Sequence, residues 1–426
     1  MESVTTDMIS YVRDNLQGQH DHALDILKSG LKSVTAATGG SSVDTGRLFL
    51  AKAEIHMDQG RWADCLDAAE CARRATDTVT NAKLHLPVLS QAFSLGTRAL
   101  LASGRSREAI KLAHEANVAV SLYPDKILVK EAAAVAAESL QALAAHAEGN
   151  WDQLDRDMPG TQLHRIWKLA GQPVPLLDSM PQQESIQMLV EPRRRFLTLA
   201  CAWDKNTALS QEDKLMDCHE KAGANSNCSI CLSPMAAAES QLARQVVEVQ
   251  ACMQLQQWEQ AEDKADSLVV IAESISSREH SRVAVVLAIL ADIMAHTQRV
   301  TLAEGLFRQA TKLLALDPSK VLPGAADGTT PVHPTVTAWI AWRYVQLLTV
   351  LPRRGTEVGA WQEAAESLLS LPDWPPDESR SRANEVIRSY YGCPERLRGV
   401  HDPDCHGCLL DVTVSRMLPC KWKALA

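Results

Sequence analysis

The sequence predicts an all-α protein built from antiparallel helix hairpins, and two observations carry this prediction. Ala occurs 58 times in 426 residues, whereas aromatic residues make up only 4%. Ala has the highest helix propensity, and strands favour β-branched and aromatic residues. The second observation is a phrase in which Gly or Gln stands two positions before Trp, and it recurs at Trp62, Trp151, Trp258 and Trp361. A stack of such hairpins predicts about sixteen helices and almost no strand.

Each phrase is predicted to form the turn of one hairpin, because it follows one apolar helical stretch and opens another. Gly permits a tight turn since it tolerates positive φ, and small residues on the following helix let two backbones approach closely. Such small residues recur three or four positions apart, at Cys65, Ala69, Ala72, Ala261 and Ala265. We expect Trp62 and Trp258, which open a second helix, to be buried against the preceding helix.

Two further units keep this frame without the Trp and open at Ser106 and Val300. Counted between equivalent positions, the period is 44 and then 45 residues in the first half, and 42 and then 61 in the second. The long interval contains a Pro- and Gly-rich insertion at residues 319–334, which cannot continue the helix before it. We expect this insertion to be a mobile surface loop.

These hairpins resemble the tetratricopeptide repeat (TPR), a family of helical repeat proteins. The resemblance rests on a small residue seven positions before the turn, at Ala53, Thr97 and Ala291, and on the Ala positions of the following helix. It covers residues 46–157 and 235–371. The period exceeds the family's usual length of about 34 residues, which implies longer helices or longer loops. The resemblance implies a right-handed α-α superhelix whose concave face binds a peptide or a helix.

The repeat frame divides the chain into five predicted regions. Residues 1–44 form an N-terminal helical cap, and residues 45–157 form a first TPR-like block. Residues 158–234 are predicted to be an irregular helical connector that carries a Cys/His loop. Residues 235–376 form a second TPR-like block, and residues 377–426 form a Cys-rich C-terminal tail.

Two clusters of Cys residues could hold a structural zinc ion. In the connector, Cys228 and Cys231 have the two-residue spacing of a zinc-ligand pair, and Cys218 precedes them across a Gly/Asn/Ser loop. A fourth ligand there has to come from elsewhere. In the tail the candidate ligands are Cys393, Cys405, Cys408 and Cys420, with His401 or His406 as an alternative nitrogen ligand. Incidental thiols are the competing interpretation of both clusters.

Charge and hydropathy argue against several classes of function. The net charge of −9 argues against a general nucleic-acid or anionic-membrane binder. No apolar stretch approaches the length of about eighteen residues that a membrane-spanning helix needs. The first residues carry acidic side chains and lack a secretory signal, so we expect the eleven Cys residues to be reduced. The sequence thus predicts the cytoplasm, with the nucleus and an organelle left open.

The sequence contains no catalytic or cofactor-binding motif, so we predict a protein that is not an enzyme. The leading interpretation is a non-catalytic scaffold, or a subunit of a multiprotein complex, that binds a protein partner. Two alternatives stay open. One is a nucleic-acid-binding component of a ribonucleoprotein complex, indicated by basic residues at 193–195, Arg353 and Arg354. The other is a zinc-stapled regulatory protein.

Overall fold

The structure of the chain is a computed structural model and consists mainly of helices that pack against their neighbours. It describes residues 2–15, 19–123, 256–275, 280–319, 332–369, 406–412 and 416–421, with parts of 130–144 and 242–253. The expectation of a helical chain with packed neighbouring helices is confirmed for these residues. The described elements form two compact units, which we call the amino-terminal and the carboxy-terminal unit.

The amino-terminal unit contains six described helices. They are α1 (Glu2–Asn15), α2 (His20–Thr38), α3 (Val43–Asp58), α4 (Trp62–Thr76), α5 (Ala82–Ala102) and α6 (Ser106–Ser121). Helix α1 packs on α2 and α3, α2 packs on α3, and α3 packs on α4. Apolar residues at helical spacing form a core between the first three of these helices, with Ile9, Val12, Leu27 and Leu48 at its centre.

The carboxy-terminal unit contains five described helices and one hairpin of two strands. The helices are α7 (Trp258–Ile275), α8 (Ser281–His296), α9 (Val300–Leu313), α10 (Pro334–Val350) and α11 (Gly355–Leu369), and the strands are β1 (His406–Asp411) and β2 (Arg416–Lys421). Each helix packs on the next one along the chain, α8 also packs on α10, and β2 packs on α10. Helices α8 and α10 are therefore the first helices of their hairpins, and α7, α9 and α11 are second helices.

Small residues and end caps position these helices. Ser42 precedes α3, and its hydroxyl accepts a hydrogen bond of 3.1 Å from the backbone N–H of Thr45. Such a cap satisfies one of the free amides of a helix start. Gly46 of α3 lies so close to α4 that an added Cβ would stand 2.8 Å from a side-chain carbon of Thr76. The closest part of this hairpin therefore requires a residue without a side chain.

The predicted insertion is partly corrected. Helix α9 ends at Leu313, and Pro334, predicted as the last residue of the insertion, is the first residue of α10. Pro is favoured there because the first helical position needs no backbone donor. Residues 320–331 lie outside the described residues, so the mobility of the loop stays a prediction. Of the helices in the described ranges, none is long and apolar enough to cross a membrane.

The strand pair in the predicted Cys-rich tail was not expected from the sequence. Strands β1 and β2 are antiparallel, and Leu410 faces Met417 while Asp411 faces Arg416. Residues 409–414, which begin in β1, read Leu-Leu-Asp-Val-Thr-Val in the sequence. Such apolar and β-branched residues favour strands. The connector at 158–234 and most of the tail lie outside the described residues, so the five predicted regions stay predictions.

Candidate functional site

Three turns between paired helices share one geometry, at Gly60, Gln256 and Gln298. Their φ angles are 68°, 58° and 65°, in the left-handed region. The next residue donates its N–H over 2.9 Å to a carbonyl five positions earlier: Arg61 to His56, Gln257 to Cys252, and Arg299 to Met294. This is the Schellman motif, which satisfies the last carbonyls of a helix. The second helix then begins two residues after the left-handed residue, so the predicted helix starts at Trp62, Trp258 and Val300 are confirmed.

The predicted start at Ser106 is also correct, the one at Trp361 is wrong, and Trp151 lies outside the described residues. Helix α6 begins at Ser106, two residues after Gly104, whose φ is 81°. Helix α11 begins at Gly355, so Trp361 lies inside it. The left-handed residue of that turn is Arg353 with a φ of 63°. It follows Pro352, which disfavours continuation of α10 and places the turn earlier than the Trp phrase predicts.

The Trp residues at the helix starts differ in burial. Trp62 is 7% exposed, as predicted. Trp258 is only half-buried, and its ring stacks on His296 with 3.9 Å between the ring centroids and 8° between the planes. His296 is the last residue of α8, the helix that follows Trp258. The predicted burial of Trp258 is thus partial, and the ring that stacks on it comes from the following helix.

Three buried aromatic rings connect the last helices of the carboxy-terminal unit. Phe307 of α9 stacks on Tyr344 of α10, with 5.5 Å between centroids. Tyr344 meets Trp361 of α11 edge to face, with 5.3 Å between centroids. Both arrangements are favourable for aromatic quadrupoles. Trp361 thus holds the α10–α11 contact from within the second helix.

Ion pairs recur between successive second helices, and the sequence analysis did not single them out. The residue that directly precedes a second helix is Arg at Arg61, Arg299 and Arg354. It contacts an acidic residue of the preceding second helix: Arg61 with Asp21 at 3.4 Å, Arg299 with Glu262 at 2.5 Å, and Arg354 with Glu304. Exposed pairs such as Arg61–Asp21 contribute little to stability, so these contacts set the stagger of the helices more than their stability.

A buried charge network joins the first helices of the carboxy-terminal unit. The carboxylate of Asp292 in α8 lies 3.5 Å from Nε of Arg343 in α10, and both side chains are buried. The same carboxylate lies 3.9 Å from His296, and Arg343 donates to Gln346 over 2.6 Å. Burial lowers the pKa of His296, Asp292 raises it in part, and Arg343 lowers it further. His296 is therefore mostly neutral at pH 7.

Helix α5 of the amino-terminal unit carries a polar stripe instead. Ser90, Ser94 and Thr97 are spaced by one helical turn and are buried. Their hydroxyls have no hydrogen-bond partner among the described residues. Gln91 beside them donates to the carboxylate of Glu54 in α3 over 2.5 Å. A buried hydroxyl without a hydrogen-bond partner lowers the free energy of unfolding by about 1–3 kcal/mol. The stripe therefore lowers the stability of the amino-terminal unit.

The buried thiol and imidazoles of the amino-terminal unit are held in neutral forms. Burial raises the pKa of the Cys65 thiol to about 12, so the thiol stays protonated. Burial also lowers the pKa values of His56 and His85. His56 lies 3.9 Å from Asp64, and Nδ1 of His85 contacts the hydroxyl of Tyr123. These groups act as packing and positioning residues within the described part of the unit.

The predicted zinc ligands are mostly outside the described residues. These are Cys218, Cys228, Cys231, Cys393 and Cys405. Cys408 lies in β1 opposite Pro419, and Cys420 lies in β2 opposite Gly407, so these two Cys are not paired in the register. Among the residues that the structure describes, no group of three His, Cys, Asp or Glu residues could hold a metal ion. The zinc hypothesis stays a prediction from spacing.

Comparisons with known proteins give no family for this chain. No protein-family model matches it, and no curated protein sequence matches it. The resemblance to the TPR family therefore rests on the residues and turns described above.

Proposed function

We propose that this chain is a non-catalytic interaction scaffold of the TPR-like type, whose hairpins stack into a right-handed superhelix and bind a protein partner. The observation that supports this proposal is the repeated turn at Gly60, Gln256 and Gln298. One turn geometry repeated along a chain gives one hairpin geometry, and stacked hairpins of equal geometry build an elongated binding surface.

The ion pairs of Arg61, Arg299 and Arg354 hold the second helices to each other. Helix α5 does not supply the binding face. Its residues Gln91 and Phe93 contact α3 and α4, and at about 100° per residue the hydroxyls of Ser90, Ser94 and Thr97 lie between these two contacts. This polar stripe therefore faces helices of its own unit and is buried there.

The experiment is affinity purification of the full chain at native expression, followed by identification of the partner. We expect one stable protein partner to be recovered with the chain, without turnover of a substrate. Recovery of no stable partner would contradict the scaffold proposal.

The described basic residues favour a protein partner over nucleic acid. Arg354, one of the residues behind the nucleic-acid alternative, contacts both Glu304 and Glu357. A phosphate would have to compete with these carboxylates. Passage of the purified chain over a nucleic-acid column at physiological salt tests the alternative, and we expect no retention.

A further inference from the structure

The described residues on either side of the turn of the carboxy-terminal hairpin are buried, which is unusual for a β-hairpin. Leu410, Asp411, Val412 and Arg416 are each at most 4% exposed. Turn ends normally face solvent, and a two-stranded hairpin is only marginally stable by itself. The helices of the carboxy-terminal unit therefore hold this hairpin in place.

The side chain of Gln250 forms hydrogen bonds with the backbone of the hairpin. Gln250 is fully buried, and its Oε1 accepts a hydrogen bond of 2.7 Å from the N–H of Leu410. Its Nε2 donates to the carbonyl of Leu410 over 3.1 Å and to the carbonyl of Val246 over 3.2 Å. The amide of Gln250 thus bonds both backbone groups of one strand residue, as a neighbouring strand would.

Both backbone groups of Leu410 meet Gln250, so they point away from β2. In an antiparallel pair, alternate residues direct both groups outward in this way. A strand edge with free N–H and C=O groups is a general recognition element, because any extended polypeptide offers it. Gln250 therefore recognises the extended backbone at this position independently of its side chain.

The side chains of the hairpin next to Gln250 define the sequence of the strand that occupies this position. Leu410 and Val412 are buried apolar residues, and Asp411 between them is buried opposite Arg416. Strand β2 packs on α10, and Arg416 lies near His333, the residue that caps the start of α10. The strand that occupies this site thus has an apolar–acidic–apolar order, and the buried cation opposite its acidic residue comes from β2 of the same hairpin.

We propose that Gln250 and the start of α10 form a seat for an extended polypeptide strand, which the chain's own hairpin occupies and which the same hairpin of a second copy of this chain enters in trans. This strand seat is independent of the proposed scaffold function, because it concerns other residues and needs no superhelix. Exchange of one strand for another costs few contacts, since the backbone bonds to Gln250 are the same for both.

The first test measures amide hydrogen exchange of the full chain by mass spectrometry. Gln250→Leu keeps the size of the side chain and removes both bonds to Leu410. We expect exchange across residues 406–421 to accelerate about ten-fold or more, with the protection of α10 retained. Gln245→Leu is the matched control: Gln245 lies on the same helical segment, but its partner is the exposed hydroxyl of Ser267. Unchanged exchange of the hairpin in Gln250→Leu would overturn the seat.

The second test supplies the strand in trans. Leu410→Pro in the full chain removes the N–H that donates to Oε1 of Gln250. It removes no hydrogen bond between β1 and β2, because both backbone groups of Leu410 point away from β2. We expect this variant to bind an isotope-labelled synthetic peptide of residues 406–421 about ten-fold more tightly than the wild-type chain does. A peptide that carries Leu410→Pro should bind neither chain, and the chain with Leu410→Pro and Gln250→Leu together should bind no peptide.

The wild-type chain provides the same test without dependence on the folding of a variant. Excess labelled peptide should accelerate hydrogen exchange of the chain's own hairpin in proportion to peptide concentration, while α8 and α10 keep their protection. Hairpin exchange that is independent of the peptide, in the wild type and in a folded Leu410→Pro variant, would make the contact with Gln250 a fixed structural one and overturn the proposal.

Discussion

Helices α5 and α8 are each the first helix of a hairpin and are buried on all sides, yet their buried polar groups differ. In α8 the long apolar run is interrupted by Asp292, whose charge meets Arg343 of α10. In α5 the buried hydroxyls of Ser90, Ser94 and Thr97 meet no partner among the described residues. The buried ion pair of α8 thus fixes the position of α10. The buried hydroxyls of α5 form no hydrogen bond with a described neighbour.

This difference separates two uses of burial in the same structural position. A compensated ion pair between neighbouring first helices favours one arrangement of those helices, because any shift leaves a charge without a partner. Uncompensated hydroxyls cost less and impose no arrangement. We therefore assign α8 to the framework of the carboxy-terminal unit.

The largest effect should come from breaking the ion pair of α8. Asp292→Ala leaves the guanidinium of Arg343 buried without its counter-charge, and we expect the free energy of unfolding to fall by about 3–5 kcal/mol. Denaturant unfolding followed by circular dichroism measures the change. The double variant Asp292→Leu with Arg343→Met removes both charges and should regain most of the loss. Equal losses in the single and double variants would show that the charges do not compensate each other.

The two Trp residues at helix starts give the next largest contrast. Trp62→Ala opens a cavity in a buried site, and we expect it to cost about 3–5 kcal/mol of stability. Trp258→Ala removes a half-buried ring that stacks on His296, so about half of that cost is expected. Denaturant midpoints of the two variants test the difference. A cost for Trp258→Ala equal to that of Trp62→Ala would restore the burial that the sequence predicted.

Acid should act on the carboxy-terminal unit through His333. Burial lowers the pKa of this residue well below 6.5, and the charge of Arg416 lowers it further. The unfolded chain then binds a proton that the folded chain does not, so stability is complete above pH 6.5 and falls as the pH falls below it. Each pH unit below 6.5 costs up to about 1.4 kcal/mol.

His333→Asn is the matched variant for this test. Nδ1 of His333 accepts a hydrogen bond of 3.2 Å from the N–H of Thr335, and Asn provides the same helix cap without titrating at this pH. We expect denaturant unfolding at pH 5 and pH 7 to show a smaller loss of stability in this variant than in the wild type. The same loss in both would assign the acid sensitivity to other groups, such as His56 and His85.

The sequence predicted the local features of this fold better than the distant ones. The helix starts at Trp62, Ser106, Trp258 and Val300 were predictable because the turn residues act within one helical turn. The start of α11 was missed because Pro352 ends α10 before the Trp phrase. The pairs Asp292–Arg343 and Gln250–Leu410 join residues far apart in the chain, the latter by 160 positions, so no spacing rule could reveal them.

The smallest expected effect concerns the turns, where the two units use different residues for one geometry. The amino-terminal unit places Gly60 in the left-handed conformation, and the carboxy-terminal unit places Gln256 and Gln298 there. A residue with a Cβ pays about 1 kcal/mol in this conformation, which Gly avoids.

We therefore expect Gln298→Gly to raise the free energy of unfolding by up to about 1 kcal/mol, reduced by the greater freedom of Gly in the unfolded chain. Gly60→Ala should lower it by about the same amount. Gln257→Gly, one residue beyond the left-handed position at Gln256, is the control and should only destabilise, since it adds freedom without relieving strain. Thermal unfolding of the three variants decides the matter. A neutral or destabilising Gln298→Gly would mean that the Gln side chain itself stabilises the turn, and the two units would then use different physics for the same Schellman motif.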